Sequence, residues 1–413
     1  MKRFKIEIYY AFMSTLFTLQ SLSLIDNTGD QTWFAETAQK INYDYLGFAI
    51  DRYFNWSSRL IIESSTMFFS VHQKLFGLVL LLATFTFLLV SRKLFINSKS
   101  ELATLSLPIV MLLVFPSYLF TSAGLIATIT NYYFPLVTLV ITWYLVSKNQ
   151  VHYLIFAILF SIHTFMQEQF AVFGFFLFLL LTIQNYIKNR KIHISYVVML
   201  ILSFLGIVLA AISPGSAIRS EAEIQNWYPN FDQVSIVNKV FLGFVDTNRG
   251  ILLGDAMVFL YIILVLTTTI AVFKKNKYPF LISFGLLLLL VLHRLQLMTN
   301  LRVFSEIAGE IKEMSLDIKS TYLLFFMISI LSALAYLIWS SFETLEEKVF
   351  PLLLLIIGYT SRMLVSLSPT IYASLERTYI PLVLSGFIVS ILLLVEIEKY
   401  WSHQIVKGRV WKS

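Results

Sequence analysis

Residues 194–213 read ISYVVMLILSFLGIVLAAIS and contain no charged side chain. A helix needs roughly 20 mainly apolar residues to cross the hydrocarbon core of a bilayer, and this run has that length. The rest of the chain has the same character, since 58% of its 413 residues are hydrophobic and 13% are charged, with a mean hydropathy of +0.77. This composition is far from that of a water-soluble protein and predicts an all-α integral membrane protein.

Similar apolar runs recur along the whole sequence and predict about twelve transmembrane helices. They cover residues 6–25, 74–91, 102–121, 131–147, 151–165, 169–187, 194–213, 255–273, 279–298, 321–340, 349–367 and 379–396. Polar residues around Glu168 separate two short runs, so a re-entrant hairpin stays open there and roughly ten to thirteen spans fit the sequence. We expect residues 1–413 to form a single polytopic membrane domain, with the first run retained as an anchor.

Lys and Arg are distributed unevenly among the connectors. Short alternating connectors hold 18 of the 31 basic residues but 7 of the 24 acidic ones, at 2–7, 92–101, 148, 188–191, 274–277, 343–348 and 396–412. Because basic residues favour the cytoplasmic side, this pattern predicts both termini inside and the long connectors 26–73, 214–254 and 299–320 on the outer face of a bacterial plasma membrane. The basic charge indicates contact with anionic membrane lipid and not with nucleic acid.

Motifs that are missing from the sequence narrow the chemistry. The chain has no cysteine, which excludes disulfides, thiolate metal sites and a cysteine nucleophile. It also lacks HExxH, P-loop, GxGxxG and GxSxG patterns, so most soluble enzyme classes are not indicated. No metal site and no cofactor are predicted, although a requirement for Mg²⁺ or Mn²⁺ stays open.

The first long connector, 26–73, carries the first group of candidate residues. Apolar residues from Trp33 to Ala49 follow helical spacing, which predicts interfacial amphipathic helices in this connector. The turn Asn-Thr-Gly at 27–29 holds Asp26 and Asp30 close to the membrane surface. Asp30 suits either a helix N-cap or a chemical role, and the sequence leaves both readings open.

Three arginines recur at the predicted outer boundaries of the spans. Arg59 lies in NWSSR, Arg219 closes SPGSAIR after the seventh run, and Arg377 lies in SPTIYASLER ahead of the last run. A snorkelling side chain or an ordinary ion pair can explain any one of them. Their recurrence on the outer face favours binding of a phosphate, which a guanidinium group contacts with two parallel hydrogen bonds.

Four more residues are candidates for contact with a substrate. Glu168 is an acid close to the hydrocarbon boundary, where ionisable groups are costly and often functional. Asn131 and Tyr132, in NYYFP, could hydrogen-bond sugar hydroxyls, and Trp33 could stack on a sugar face. An aromatic belt at the interface is the alternative for these rings and is expected for Tyr133.

In this order, the features resemble bacterial polytopic glycosyltransferases of the GT-C type or a family close to them. The matching segments are GDQTW, WSSR, a glycine before NYYFP, QEQF, SPGSAIR and SPTIYASLER. The resemblance implies transfer of a sugar, with inversion, from a polyprenyl-phosphate donor to a cell-envelope glycan on the outer face. It implies that Asp30, ahead of Asp26, is the catalytic base and that Arg59, Arg219 and Arg377 bind the donor phosphate. Adjacent or alternate acids are usual in this type, whereas here the two lie four residues apart, so the choice of base stays open.

Two other functions fit the sequence. A polysaccharide polymerase or ligase also uses lipid-linked sugars and outer-face arginines. A flippase or transporter of lipid-linked sugars should instead have ionisable residues near mid-membrane and broken helices in inverted repeats. The transferase hypothesis predicts one outward-opening cavity that contains Asp30 and at least one of Arg59, Arg219 and Arg377.

Overall fold

The computed structural model describes residues 2–26, 29–97, 100–254, 257–297, 304, 306–309 and 317–410. Every regular element within these ranges is a helix or a helical turn, which confirms the all-α prediction. The helices are α1 (Lys2–Leu22), α2 (Asp30–Lys40), α3 (Tyr45–Asn55), α4 (Leu60–Val71), α5 (Gln73–Phe95), α6 (Glu101–Val114), α7 (Leu125–Val146), α8 (Val151–Phe165), α9 (Glu168–Asn189), α10 (Ile194–Ile212), α11 (Pro214–Trp227), α12 (Ile236–Leu253), α13 (Val258–Phe273), α14 (Lys277–Arg294), α15 (Ile318–Ser341), α16 (Leu345–Met363) and α17 (Ile380–Val410).

Eight helices in the described part of the chain are long and apolar enough to cross a membrane, against about twelve expected from the runs. They are α5, α7, α9, α10, α14, α15, α16 with the turn that follows it, and α17 with the turn that precedes it. A ninth span results if α12 and α13, which meet at a sharp bend, are one broken helix. These apolar helices indicate a membrane-embedded protein, in agreement with the composition.

The remaining predicted runs are helical but shorter or more polar than a full span. Pro116 follows the end of α6, which is 14 residues long, and a break before Glu168 limits α8 to 15 residues. At that break Gln167 accepts a hydrogen bond from the backbone N–H of Phe170, so it caps α9 and fixes where the new helix begins. The predicted interruption between residues 151 and 187 is therefore a short connection between two separate helices.

Burial distinguishes the central helices from the peripheral ones. In the most apolar window of α17, 89% of residues are buried, and in that of α7 the value is 83%, whereas it is 17% in α10 and α14. Large side chains of α10 such as Phe204, Leu205 and Leu209 are exposed. Exposed apolar surface on a long charge-free helix suits contact with lipid chains.

The connector 26–73 folds into three helices. The apolar spacing from Trp33 to Ala49 is shared between α2 and α3, which are separated by a turn at 41–44. Phe34, Ala38 and Phe48 pack against Met67 of α4 in a small core of their own. Leu46, Ile50 and Phe54 of α3 are exposed at helical spacing, so the interfacial position of these helices stays a prediction.

The other two long connectors have different outcomes. The segment 214–254 contains α11 and α12, and a short turn at Phe231–Gln233 lies between them. The connector 299–320 lies mainly outside the described residues.

The order of the helices defines two ends of the bundle. The start of α9, the end of α10, the end of α16 and the start of α17 lie at one end, together with α2, α3 and α4. The predicted basic connectors meet at the other end, where Lys188 lies 3.5 Å from Glu346 and Lys274 donates to the carbonyl of Ser341 at 2.7 Å. We call these the cavity end and the basic end.

Candidate functional site

A cavity of about 530 Å³ lies at the cavity end of the bundle. Helices α2, α3, α4, α7, α9, α10 and α11 and the turns around α16 and α17 all contribute to its wall. Its ionisable lining residues are Asp30, Arg52, Arg59, Glu63, Glu168, Arg219, Glu223 and Arg377. The structure therefore brings Asp30 and all three predicted arginines to one space, although they are up to 347 positions apart in the sequence.

Asp30 is the first residue of α2 and is held at the cavity by its neighbours. Gly29, with φ of 73°, is the N-cap, and no side-chain cap bond is formed, so the capping role considered for Asp30 is not observed. The backbone N–H of Asp30 donates to the carbonyl of Ala123 at 3.1 Å. The buried side chain of Gln31 accepts from the N–H of Ile126 at 3.0 Å. These contacts fix α2 against the start of α7.

The carboxyl of Asp30 faces the accessible space of the cavity but is surrounded by protein. Desolvation raises the pKa of Asp30, the Arg377 guanidinium opposes that rise, and the Glu63 carboxylate adds to it. In the part of the chain that the structure describes, Asp30 has no ion pair within 4.0 Å. A carboxylate with a raised pKa and no committed partner is a stronger proton acceptor than an ordinary aspartate.

Arg59 is fully engaged by protein groups. Its Nε and Nη2 atoms lie 3.0 and 2.6 Å from Oε2 of Glu168, and its Nη1 donates to Oδ1 of Asn131 at 2.9 Å. Asn131 in turn donates to the carbonyl of Ala127 at 2.8 Å. Arg59, Glu168 and Asn131 therefore line the cavity as one connected group, and their polar atoms are largely occupied within it.

Two further ion pairs line the side of the cavity formed by α3, α4 and α11. Arg52 lies 3.2 Å from Glu63, and Arg219 lies 3.5 Å from Glu223, one turn further along α11. Trp56 is near both guanidinium groups, at 5.1 Å from that of Arg52 and 5.7 Å from that of Arg219. Contacts between cations and an aromatic ring at these distances are attractive and hold the three side chains together.

Gly215 permits the close approach that brings Arg219 to this cluster. A side chain at position 215 would collide with the backbone of Arg52, Tyr53 and Trp56, at the end of α3. The Pro-Gly pair that begins α11 can therefore rest directly on α3. A local turn signal in the sequence thus acts through a tertiary contact.

A π turn at Ile129–Tyr133 interrupts the regular hydrogen-bond pattern of helix α7. Such turns insert an extra residue and often mark functional sites. Asn131 and Tyr132 line the cavity, while Tyr133 points into the core and donates to Thr84 at 3.1 Å. The aromatic belt expected for Tyr133 is therefore wrong, because this ring is fully buried among other aromatic side chains.

Arg377 reaches the cavity from a short helical turn, Leu375–Tyr379, that precedes α17. Its guanidinium has no ion pair within 4.0 Å among the described residues. Hydroxyl groups of Ser368, Thr370 and Ser374 line the cavity beside it and bond to one another at 2.8 and 3.0 Å. Arg377 is thus a cation with small hydroxyl groups nearby and no counter-ion among the residues that the structure describes.

The charges of the cavity divide into two classes. Six of the eight ionisable side chains form three Arg–Glu pairs, and within each pair the two charges neutralise each other. Asp30 and Arg377 are left over within the described residues. Since a positive and a negative group both face one space without neutralising each other, the site is suited to a ligand that carries an anion and a transferable proton.

Two predicted site residues do not line the cavity. The carboxylate of Asp26 accepts from Gln31 at 3.3 Å on the side away from the lining. Trp33 packs edge-on against Phe34 and lies 5.4 Å from the guanidinium of Arg52. Neither residue is among those that line the cavity, and their roles as an alternative base and a sugar-stacking ring stay predictions.

One side of the cavity is apolar. Val172 of α9 lines the cavity, and α9 packs against both α10 and α16. The apolar lining residues of this side are Val172, Ile207, Ala210, Ala211, Leu364, Val365 and Leu367. The cavity is therefore amphipathic, with charged groups on one side and a hydrocarbon surface beside lipid-facing helix α10 on the other.

The donor set of the site gives no support for a bound metal. Among the described residues, no group of three or more His, Asp or Glu side chains could hold an ion. Three of the four cavity carboxylates are already paired with arginine. We derive no step that passes through a divalent cation.

Several residues of the site were missed by the sequence interpretation. Glu63 lies in the apolar run LIIESSTMFF and Arg362 lies in the predicted span 349–367, and a charge within such a run is itself a functional signal. Glu223 could have been found as the residue one helical turn after Arg219. Gln169, which is buried beside the cavity, lies in the segment QEQF, where only Glu168 was chosen as a candidate.

Comparison with known proteins gave no relationship: no family model, no curated protein and no solved structure matches the chain.

Proposed function

We propose that this protein is a membrane glycosyltransferase that moves a sugar from a polyprenyl-phosphate donor to a hydroxyl of a cell-envelope glycan. The single observation that carries the proposal is the pair of uncommitted charges, Asp30 and Arg377, in a cavity whose other charges neutralise one another. Transfer from such a donor requires a base for the incoming hydroxyl and a cation for the departing phosphate. It requires no nucleotide site.

Asp30 is the base in this mechanism. It accepts the proton of the acceptor hydroxyl as the hydroxyl oxygen forms a bond to the anomeric carbon. The bond from that carbon to the phosphate oxygen breaks, and its electron pair stays on the phosphate. Attack opposite to the leaving group inverts the anomeric centre. The raised pKa of Asp30 supports this role, since it increases the basicity of the carboxylate.

Arg377 stabilises the charge that grows on the departing polyprenyl phosphate. A positioned cation of this kind typically contributes a few kcal/mol to the transition state. Among the predicted arginines, Arg377 is the one without a protein carboxylate within 4.0 Å in the described structure, so it can pair with a phosphate at no cost to an existing bond. Arg59 and Arg219 have a shaping role, because their charges are shared with Glu168 and Glu223.

The apolar side of the cavity suits the polyprenyl chain. Val172, Ile207 and Leu364 present a hydrocarbon surface next to the exposed apolar face of α10. A lipid with its phosphate at Arg377 can then leave its chain along this surface towards the bilayer.

We place the reaction on the extracytoplasmic face. The basic connectors collect at the end opposite the cavity, where Lys188 contacts Glu346 and Lys274 contacts Ser341. Basic connectors favour the cytoplasmic side, so the cavity then opens outward. The acceptor is accordingly a glycan of the cell envelope.

The direct test is transfer of radiolabelled sugar from synthetic polyprenyl-phosphate sugars to cell-envelope glycans by purified protein. We expect Asp30→Asn to lower the rate about 10²–10⁴-fold, the range for loss of a general base. Asp26→Asn is the matched control, since it changes a nearby aspartate outside the cavity lining and should leave the rate within a factor of a few. Equal loss in both variants, or no transfer by wild type from a panel of donors, would contradict the proposal.

A carrier of lipid-linked sugars is the second candidate, and one observation favours it. Asp246 of α12 and Arg362 of α16 form an ion pair of 2.6 Å between apolar helices, and α12 meets α13 at a sharp bend. Buried charges and broken helices are features of transporters.

The carrier and the transferase predict opposite behaviour of two variants. In proteoliposomes with a fluorescent polyprenyl-phosphate sugar, a carrier should lose translocation on Asp246→Asn and keep it on Asp30→Asn. A transferase should show no translocation above protein-free vesicles. Translocation that survives Asp30→Asn would replace our first proposal with this one.

A further inference from the structure

Arg377 is presented by a strained turn, and the strain needs an explanation. Leu375, two residues before Arg377, has φ of 48°, in the left-handed region that residues other than glycine rarely adopt. Such a residue persists only where its surroundings hold it, and residues of this kind cluster at functional sites. The turn Leu375–Tyr379 should therefore be fixed by contacts from outside itself.

The first external contact comes from Gln169. This buried residue at the start of α9 donates through Nε2 to the carbonyl of Thr378 at 2.9 Å and to that of Ser361 at 3.1 Å. One side chain thus joins the residue after Arg377 to the last turn of α16. Because carbonyl groups are strong acceptors, a buried amide between two of them is well suited to hold two segments at a fixed spacing.

The second external contact lies behind the next residue, Tyr379. Its hydroxyl donates to the carbonyl of Asp246 at 2.8 Å, and the guanidinium carbon of Arg362 lies 4.1 Å from its ring centroid. Arg362, which is 1% exposed, also donates to the carboxylate of Asp246 at 2.6 Å. Gly250 leaves room for the hydroxyl, since a Cβ at that position would collide with it.

We propose that Gln169 and the Tyr379–Asp246–Arg362 group form a clamp that positions Arg377 for binding of a phosphate group. None of the four touches the ligand through its own charge in this arrangement. Gln169 fixes the backbone at Thr378, and Tyr379 is fixed from the other side by α12 and α16. The two anchors act on consecutive residues directly after Arg377, which keeps the guanidinium pointed into the cavity. The clamp rests on the proposed function for its ligand, but its effect on the turn does not.

Spin labelling tests the clamp without any substrate. The chain has no cysteine, so Arg377→Cys carries a single nitroxide label. We expect Gln169→Met and Tyr379→Phe to increase the mobility of this label in electron paramagnetic resonance spectra. Tyr133→Phe is the matched control, because Tyr133 is also a buried tyrosine whose hydroxyl donates one bond, to Thr84 at 3.1 Å, away from the turn. Unchanged mobility in both clamp variants would overturn the proposal.

A binding cycle then tests whether the clamp acts through Arg377. The probe is a short-chain polyprenyl phosphate in detergent, and its Kd is measured for wild type, Gln169→Met, Arg377→Ala and the double variant. Loss of the hydrogen bonds of Gln169 should weaken binding about tenfold when Arg377 is present and have little effect when it is absent. Equal weakening in both backgrounds would show that Gln169 acts independently of Arg377, contrary to the proposal. Tyr379→Phe provides the same comparison if Gln169→Met does not fold.

The two readouts separate failure of the clamp from failure of the proposed function. If wild type binds no polyprenyl phosphate while the label becomes mobile in the clamp variants, the lipid donor is wrong and the positioning of Arg377 stands. If the probe binds through Arg377, but neither the mobility of the label nor the Kd changes in the Gln169 and Tyr379 variants, the clamp is wrong and the donor site stands.

Discussion

The two ends of the bundle use the same kinds of charged residues in different ways. At the basic end, Lys399 lies within 4.0 Å of Glu343, Glu347 and Glu396, and Tyr400 donates to Glu343 at 2.6 Å. There the charges connect the end of α15, the start of α16 and the distal part of α17. At the cavity end, charges face a space of about 530 Å³, and two of them are left without an ion pair among the described residues.

Charged side chains that are paired with one another do not by themselves indicate a ligand site. Some charged side chains stabilise helix ends and need no ligand. An example is Glu398, whose carboxylate accepts a hydrogen bond from the backbone N–H of Glu101 at 2.7 Å. The three Arg–Glu pairs of the cavity resemble the basic end in this respect. Asp30 and Arg377 differ from both groups, because neither has an ion pair among the described residues.

The largest effect is expected from Arg377→Ala. Loss of one group that stabilises the departing phosphate should lower sugar transfer about 10²–10³-fold. The melting temperature in detergent should change little, because no ion pair within the described structure is broken. Transfer assays and thermal unfolding followed by tryptophan fluorescence check both parts. A loss of stability as large as that of Arg59→Ala would place Arg377 with the structural arginines.

Arg59→Ala should act mainly on stability. It leaves the carboxylate of Glu168 and the amide oxygen of Asn131 without their partner at the wall of the cavity. The free energy of unfolding should fall by about 2 kcal/mol, less than for a fully buried pair because Glu168 is partly exposed. The measurement is equilibrium unfolding in mixed micelles. The double variant Arg59→Met/Glu168→Gln should recover part of the loss, and no recovery would argue against a structural pair.

The pH dependence of transfer should depend on Glu63. The pKa of Asp30 is raised, and the base acts as a carboxylate, so transfer should fall as the pH drops through that raised pKa. Glu63→Gln removes a negative charge that raises the pKa of Asp30. The acidic limb of the kcat/KM profile should therefore move to lower pH. We expect this change to be smaller than the effects of Arg377→Ala and Arg59→Ala. If the acidic limb stays in place or moves to higher pH, the titration of Asp30 does not control it.

Lys399→Met should give the smallest effect. Two of its glutamate partners, Glu343 and Glu347, are about half exposed, and pairs of this kind contribute about 1 kcal/mol or less, while the third partner, Glu396, is buried. Transfer and binding of polyprenyl phosphate should equal those of wild type. A strong loss of transfer would mean that the two ends are coupled and that the comparison between them is too simple.

Much of the site was predictable, and the reason is the membrane. Polar residues are rare in this sequence, so Arg59, Glu168 and Arg377 stand out against apolar runs and indicate where helices end. The structure brings them to one cavity, as the transferase hypothesis required. Asp26 and Trp33 are close to Asp30 along the chain, yet neither is among the residues that line the cavity.

The roles within the site were not predictable from sequence. Arg59 and Arg377 look alike as boundary arginines, yet one has a carboxylate at 2.6 Å and the other has none among the described residues. Partners that are 109 positions apart, such as Arg59 and Glu168, are brought together by the packing of α4 on α7 and of α7 on α9. No local pattern encodes that choice.

The sequence by itself determined the helical class, the membrane-embedded character and the list of polar residues, because apolar length and composition are local properties that require no partner. The number of full-length spans depended on where helices break, as at Gln167 before α9 and at Phe115 after α6. Only the tertiary structure decided which charges neutralise one another and which remain for a ligand. Ion pairing depends on distances between side chains on different helices, and those distances exist only after the bundle has packed.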